Sequence, residues 1–226
     1  MRRMATAFAR RSAPPKPDRR QAILLAAERL FAERGYHAVS IRDIADAAEV
    51  PSALVGYYFG PKDALFHAIF EHWNGTIERR LQALQGALQQ PADARLEAIM
   101  RAFIEPVLAL RASAEGEHYT RLVARELAHR GPQAERALRD YFDPLAQAFI
   151  DALHAALPHA TRGDVAWCYQ FALGALLHHL SDDRVERLSH GENHANDPAA
   201  APRLLAFVVG GIRAAVPEPT TQRRRA

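Results

Sequence analysis

Apolar residues recur along nearly the whole chain at intervals of three and four, the period of an amphipathic helix. No stretch alternates apolar and polar positions as a strand would, and no segment repeats. In the first predicted helix Ile23, Ala27, Leu30 and Phe31 share one face. Asp18 precedes it as an N-cap, with Gln21 three residues on, and Gly35 is suited to close it. Ser40 caps a second helix with Asp43 three residues later, and Ile41, Ile44, Ala45 and Ala48 form its inner stripe. The chain then breaks at Glu49-Val50-Pro51, and a short third helix is expected from Ser52 to Tyr58. Two short helices separated by a tight turn and braced by a preceding helix form the helix-turn-helix layout, whose last helix fits the ~12 Å major groove of B-DNA.

Six more helices are expected downstream, about nine in all. The fourth, over residues 61–88, carries Leu65, Ile69, Trp73, Ile77, Leu81 and Leu84 in unbroken register, which predicts one continuous rod. Further helices are expected over 92–111, with a kink at Pro106, and over 117–130, 132–157, 161–180 and 202–215. Asp143-Pro144 should bend the helix that contains it. The last two long helices are apolar on more than one face and need cover from both sides, which suggests a second copy of the chain. On helix 117–130, Glu126 falls on the apolar stripe, where a carboxylate must be paired. It reads either as part of a structural ion pair with an arginine such as Arg121 or Arg125, or as a polar anchor inside a pocket.

The N-terminal motifs resemble those of the tetracycline-repressor (TetR) family of bacterial regulators. The resemblance rests on Leu30-Phe31 followed by Gly35-Tyr36, on Ser40-Ile41-Arg42-Asp43-Ile44-Ala45, on Ala48-Glu49-Val50-Pro51, on Tyr57-Tyr58-Phe59, and on Lys62-Asp63-Ala64-Leu65. Three positions depart from the family pattern. Glu49 stands where many members have Gly, Pro51 where Ser is usual, and Gly56 where an aromatic is frequent. The resemblance implies an all-α chain with an N-terminal three-helix DNA-binding domain over 18–62 and a helical effector-binding and dimerisation domain over 63–216. Flanking these, residues 1–17 read as a basic disordered arm and 217–226 as a disordered tail.

It further implies a homodimer that binds a double-stranded operator and responds to a small apolar or aromatic effector, most simply as a repressor. Alternatives are a ligand-independent architectural DNA binder and an enzyme using the C-terminal cavity. The residues expected at DNA are Ser40, Arg42, Ser52, Leu54, Tyr57, Tyr58 and Lys62. An effector pocket among the middle helices is expected to use Trp73, Ile77, Phe103, Val107 and Leu122, together with Glu126, Phe142, Phe149 and Trp167. The dimer interface is expected at Phe171, Leu173, Leu176 and Leu180 of one helix and Leu205, Val208 and Ile212 of the other.

Charge sharpens this picture. Residues 1–62 hold eleven Lys and Arg against six Asp and Glu, while the whole 226-residue chain has a formal charge of only +3. A basic front on a near-neutral body suits a phosphate-binding head. The single cysteine, Cys168, rules out an internal disulfide and a Cys-based zinc site. No nucleophile elbow, phosphate loop, dinucleotide fingerprint or H-E-x-x-H motif occurs, so no catalytic set, cofactor or metal is expected. His178 and His179 are adjacent on a helix and cannot clamp one ion. His190, Glu192 and His194 read as a solvated loop. An arginine-bearing N-terminus without an apolar run is not read as a signal peptide, and a cytoplasmic location is expected.

Overall fold

The computed structural model describes residues 18–129, 131–197 and 199–218. The expected basic arm at 1–17 and most of the expected tail lie outside them. Every element among the described residues is helical: α1 (Arg19–Arg34), α2 (Ile41–Ala47), α3 (Ser52–Phe59), α4 (Lys62–His72), α5 (Asn74–Leu88), α6 (Ala92–Ala112), α7 (Glu117–His129), α8 (Pro132–Ala137), α9 (Asp143–Ala156), α10 (Arg162–Ser181), α11 (Val185–Leu188) and α12 (Ala200–Ala215).

The caps form largely as the sequence predicts. The Asp18 carboxylate accepts from the Arg20 and Gln21 backbone N–H groups. Ser40 and Asp43 form a reciprocal capping box on α2. Gly35 ends α1 at φ 84°, ψ 157°, a region essentially confined to glycine, and its N–H donates to the Phe31 carbonyl. A Cβ there would sit 2.6 Å from the Arg125 guanidinium. That side-chain end can move aside, so backbone strain dominates. Gly35→Ala is expected to cost about 2 kcal/mol, measurable as a lower denaturant midpoint with an unchanged slope.

The fourth helix is not one rod. It stops at His72, Trp73 takes φ −92°, ψ 4°, and α5 starts at Asn74. The periodicity stays in phase because only one residue departs. The local causes are Asn74 and Gly75, both weak helix formers, and the tertiary contacts that hold the Trp73 indole. Thr76 secures the joint by donating both its N–H and its hydroxyl to the Trp73 carbonyl. A second irregularity, the π-helical turn Leu138–Phe142, precedes α9. Pro144 has no N–H to continue the α-helical ladder, and the Asp143 N–H reaches back five residues to the Leu138 carbonyl.

Two apolar cores result. One joins α5, α6, α9, α10 and α12. The other is built on Phe31, Phe66 and Phe70 from α1 and α4, but it also takes in Tyr119 and Leu122 of α7 and Ala137 of α8. Thus α7 lies against α1 and forms one wall of the N-terminal core. No helix among the described residues is long and apolar enough to cross a membrane.

Candidate functional site

Helix α3 is held by little of its own surface. Only Val55 is buried, and Leu54 and Phe59 are half-buried. Ser52, Gly56, Tyr57 and Tyr58 are exposed; Tyr57 keeps 79% of its surface free, and its ring meets that of Tyr58 edge-on at 5.2 Å. The turn before α3 places Glu49 at φ 54°, the left-handed region in which Gly is commoner. With Pro51 as N-cap, α3 lacks a side-chain cap.

Two of the residues expected at DNA are otherwise engaged. The Ser40 hydroxyl is committed to Asp43 at 2.6 Å. Lys62 is half-buried, with Nζ 4.2 Å from the centre of the Tyr36 ring, and burial lowers its pKa below the ordinary lysine value. Its ammonium therefore braces the α1–α4 corner, and a phosphate would have to draw it off that ring. Arg42 is exposed.

A cavity of about 480 Å³ lies in the C-terminal half, within the range of ~300–1,000 Å³ usual for small-ligand sites. Ile77, Phe103, Val107 and Phe142 line it, as expected from sequence. Five other expected pocket residues do not. Leu122 belongs to the N-terminal core, and Phe149 packs within the C-terminal one. Trp167 is 63% exposed on the outer face of α10. Glu126 is buried and engaged with a partner, away from the lining. Trp73 faces α1 instead: its indole N–H donates to the Glu28 carboxylate at 2.7 Å, and its ring stacks on Tyr119 at 5.0 Å and 16°.

Sequence reasoning missed the polar residues of the wall, among them Arg80, Tyr119 and Tyr169. The Arg80 guanidinium lies over the Phe103 and Phe149 rings and donates from Nη2 to the Phe103 carbonyl at 3.2 Å. Its Nε–H is sealed without a partner. Among the described residues no carboxylate lies within ion-pair distance of it. Burial lowers its pKa to about 10. Arg80 sits three residues after Ile77 and four before Leu84, on the inner stripe of α5. The same stripe logic that singled out Glu126 would have found it.

The expected dimer residues divide in a similar way. Leu176, Leu180, Leu205, Val208 and Ile212 are at most 6% exposed and belong to the chain's own core. Leu173, Leu176 and Leu180 line the cavity. Helices α6 and α9 cover one side of α10 and α12, while Val208 and Ile212 also border a groove on the other side. The uncovered face carries Phe171, one of the expected residues, together with Trp167 and Phe207, exposed by 64%, 63% and 72%. Trp167 stacks on Phe171, and a shallow groove separates Phe171 from Phe207. Gly174, Gly210 and Gly211 lie on these helices with open space at the Cβ position.

Residues 23–69 match the family described as bacterial regulatory proteins, tetR family, and residues 101–211 match the tetracyclin repressor-like C-terminal domain. The chain belongs to the TetR family. Curated HTH-type regulators resemble it over part of the chain. An HTH-type transcriptional repressor of Mycobacterium tuberculosis, Rv3405c, is 46% identical over 72 residues, 32% of this chain and 36% of that protein. The HTH-type transcriptional activator FasR of Mycolicibacterium smegmatis is 31% identical over 93 residues, 40% and 41% of the two chains. The matched region thus spans well under half of either relative. Among solved structures, the fatty acid degradation regulator FadR from Bacillus halodurans aligns with a TM-score of 0.60 at 16% identity, over 88% of this chain and 99% of that one. A TetR-like regulator from Rhodococcus aligns at 0.59 and 23%, covering 88% and 98%. At these identities the likeness establishes the all-helical TetR fold.

Proposed function

We propose that the chain is a homodimeric transcriptional regulator that binds a pseudo-palindromic operator and is released when a small molecule fills the C-terminal cavity. Residues 18–62 read DNA, and residues 63–216 hold the ligand and dimerise. The observation that carries this reading is α3: an eight-residue helix braced by α1 and α2, with Ser52, Gly56 and Tyr57 standing clear of the protein. Such a helix enters the major groove without unfolding anything, and dimer symmetry sets the spacing of two half-sites. Repression is the simpler sign, in keeping with the relative named as a repressor.

The route between the two sites runs through aromatic contacts. Tyr119 lines the cavity, belongs to the N-terminal core and stacks on Trp73, which holds Glu28 of α1. A ligand that displaces Tyr119 shifts α1 and tilts the head. Because half-sites follow the DNA repeat, a change of a few ångströms in head separation is enough to lose specific binding.

The test is selection of binding sites from a random duplex library, followed by titration of the recovered sequence. An inverted repeat should emerge. Tyr57→Ala should weaken binding to it by about 1–3 kcal/mol while leaving the melting temperature unchanged. Failure to enrich any sequence, or equal affinity of the variant, overturns the reading.

A further inference from the structure

The cavity wall is apolar apart from a few groups, and two of these lack partners. Burying polar atoms without hydrogen bonds is costly, so such atoms in a cavity wall mark where a ligand's polar group belongs. The Arg80 Nε–H is one. The Tyr119 hydroxyl is the other: the residue is 3% exposed, and its oxygen is sealed without a well-formed hydrogen bond beside Thr76. Both residues line the same cavity. Tyr169 lines it too.

We propose that this cavity binds a monoanionic apolar carboxylic acid, its carboxylate held by Arg80 and Tyr119 and its hydrocarbon body lying along Phe103, Val107 and Leu177. The inference rests on the cavity being the effector site and specifies what it accepts. A carboxylate supplies what Arg80 lacks. It accepts from the Nε–H edge of a planar fork, the geometry guanidinium favours, and from the phenol. Only one cation of the wall is sunk in it, since Arg79, the other, is exposed. A dianion such as a phosphate monoester would bring one charge too many into an apolar site. A neutral ligand would leave the Arg80 guanidinium without a counter-ion. The remaining wall, including Leu173, Leu176 and Leu180, offers a long apolar surface.

Calorimetric titration of the full chain tests this with matched pairs: hexanoate and hexanol, decanoate and decanol, 3-phenylpropionate and 3-phenylpropanol. Wild-type protein should prefer the acid of at least one pair by about tenfold to a hundredfold, the worth of hydrogen bonds to a charged group. Arg80→Met keeps length and apolar contact but removes the charge. It should abolish that preference and bind the alcohol at least as well as wild type. Tyr119→Phe should reduce the preference severalfold. Operator titration without ligand checks that Arg80→Met is folded and dimeric. Should that variant fail to fold, Arg80→Lys, which keeps a cation without the fork, should retain only part of the preference. Equal binding of acids and alcohols by wild type, no binding of any acid, or an acid preference that survives Arg80→Met overturns the proposal. The regulator reading fails separately: an acid that binds through Arg80 but leaves operator affinity unchanged keeps the anion site and removes ligand release.

Discussion

Phe171→Glu should yield a folded monomer that no longer holds its operator. Phe171 is 64% exposed and stacks only on Trp167, itself 63% exposed, so a carboxylate at this position is solvated in the isolated chain and costs the fold little. In a two-fold dimer built on this face the same change enters twice, at equivalent positions across one axis. Two like charges would be desolvated together without partners, at a cost of several kcal/mol per ion. Dimer affinity should therefore fall by orders of magnitude. A lone head reaches one half-site only, and specific binding should drop by more than about a hundredfold. Light scattering and operator titration read the two effects. Leu25→Glu, at an apolar residue 44% exposed on α1, is the control and should remain dimeric. A dimeric Phe171→Glu with full operator affinity sinks the interface. Leu176→Glu separates the alternatives further. That residue is 2% exposed in the chain's own core, so its charge should unfold the protein rather than dissociate it.

Stability should fall between about pH 4.5 and pH 7, and Glu28→Gln should abolish that fall. Glu28 is 1% exposed on α1, and burial raises its pKa from 4.5 to about 7, against the opposing effect of hydrogen bonds from the Trp73 indole and the Tyr119 backbone. The folded-state value lies above the unfolded one. Below pH 4.5 both states are protonated, and the contribution to stability is complete. As pH rises, the unfolded chain loses its proton first, which favours unfolding until the folded state also ionises near pH 7. At about 1.4 kcal/mol per pH unit the loss amounts to roughly 3 kcal/mol. Gln keeps an acceptor for the indole and carries no charge. The variant should hold a flat profile across this window and exceed wild type at pH 8. Subtracting the two melting-temperature profiles isolates Glu28 from other carboxylates, and a difference independent of pH would refute the assignment.

Much of the chain could be read from residue order because its signals are local. The Ser40–Asp43 box and the Glu49-Val50-Pro51 turn are stated by adjacent residues, and they appear where expected. The break at Trp73 was not legible, since one non-helical residue leaves the stripe of Ile69, Trp73 and Ile77 in phase. Its local hints, Asn74 and Gly75, are weak. Which face of a doubly apolar helix turns inward was not legible either. Along α10, Leu176 and Phe171 differ in burial because α7, α9 and α12 pack on the helix and leave one face uncovered. Empty space is further still from sequence: Phe103 lines the cavity and Phe149, against which it packs, does not. Arg80 and Glu28, neither of them singled out from the sequence, each proved to be a point where the interior is electrically unbalanced.

The wall that α7 supplies to the N-terminal core bears on how such proteins exchange parts. The DNA-reading helices end in sequence at residue 59, yet Phe31, Phe66 and Phe70 are sealed by Tyr119 and Leu122, some fifty residues later. A cut after α4 would leave an oily flank open to water. Grafting this head onto another regulator's body would succeed only where the new body offers a matching α7, and residues 117–123 would need to travel with the graft. Operator preference and effector preference are thus not free to recombine at the boundary that the order of the helices suggests, and chimaeras should be drawn across the contact rather than along the chain.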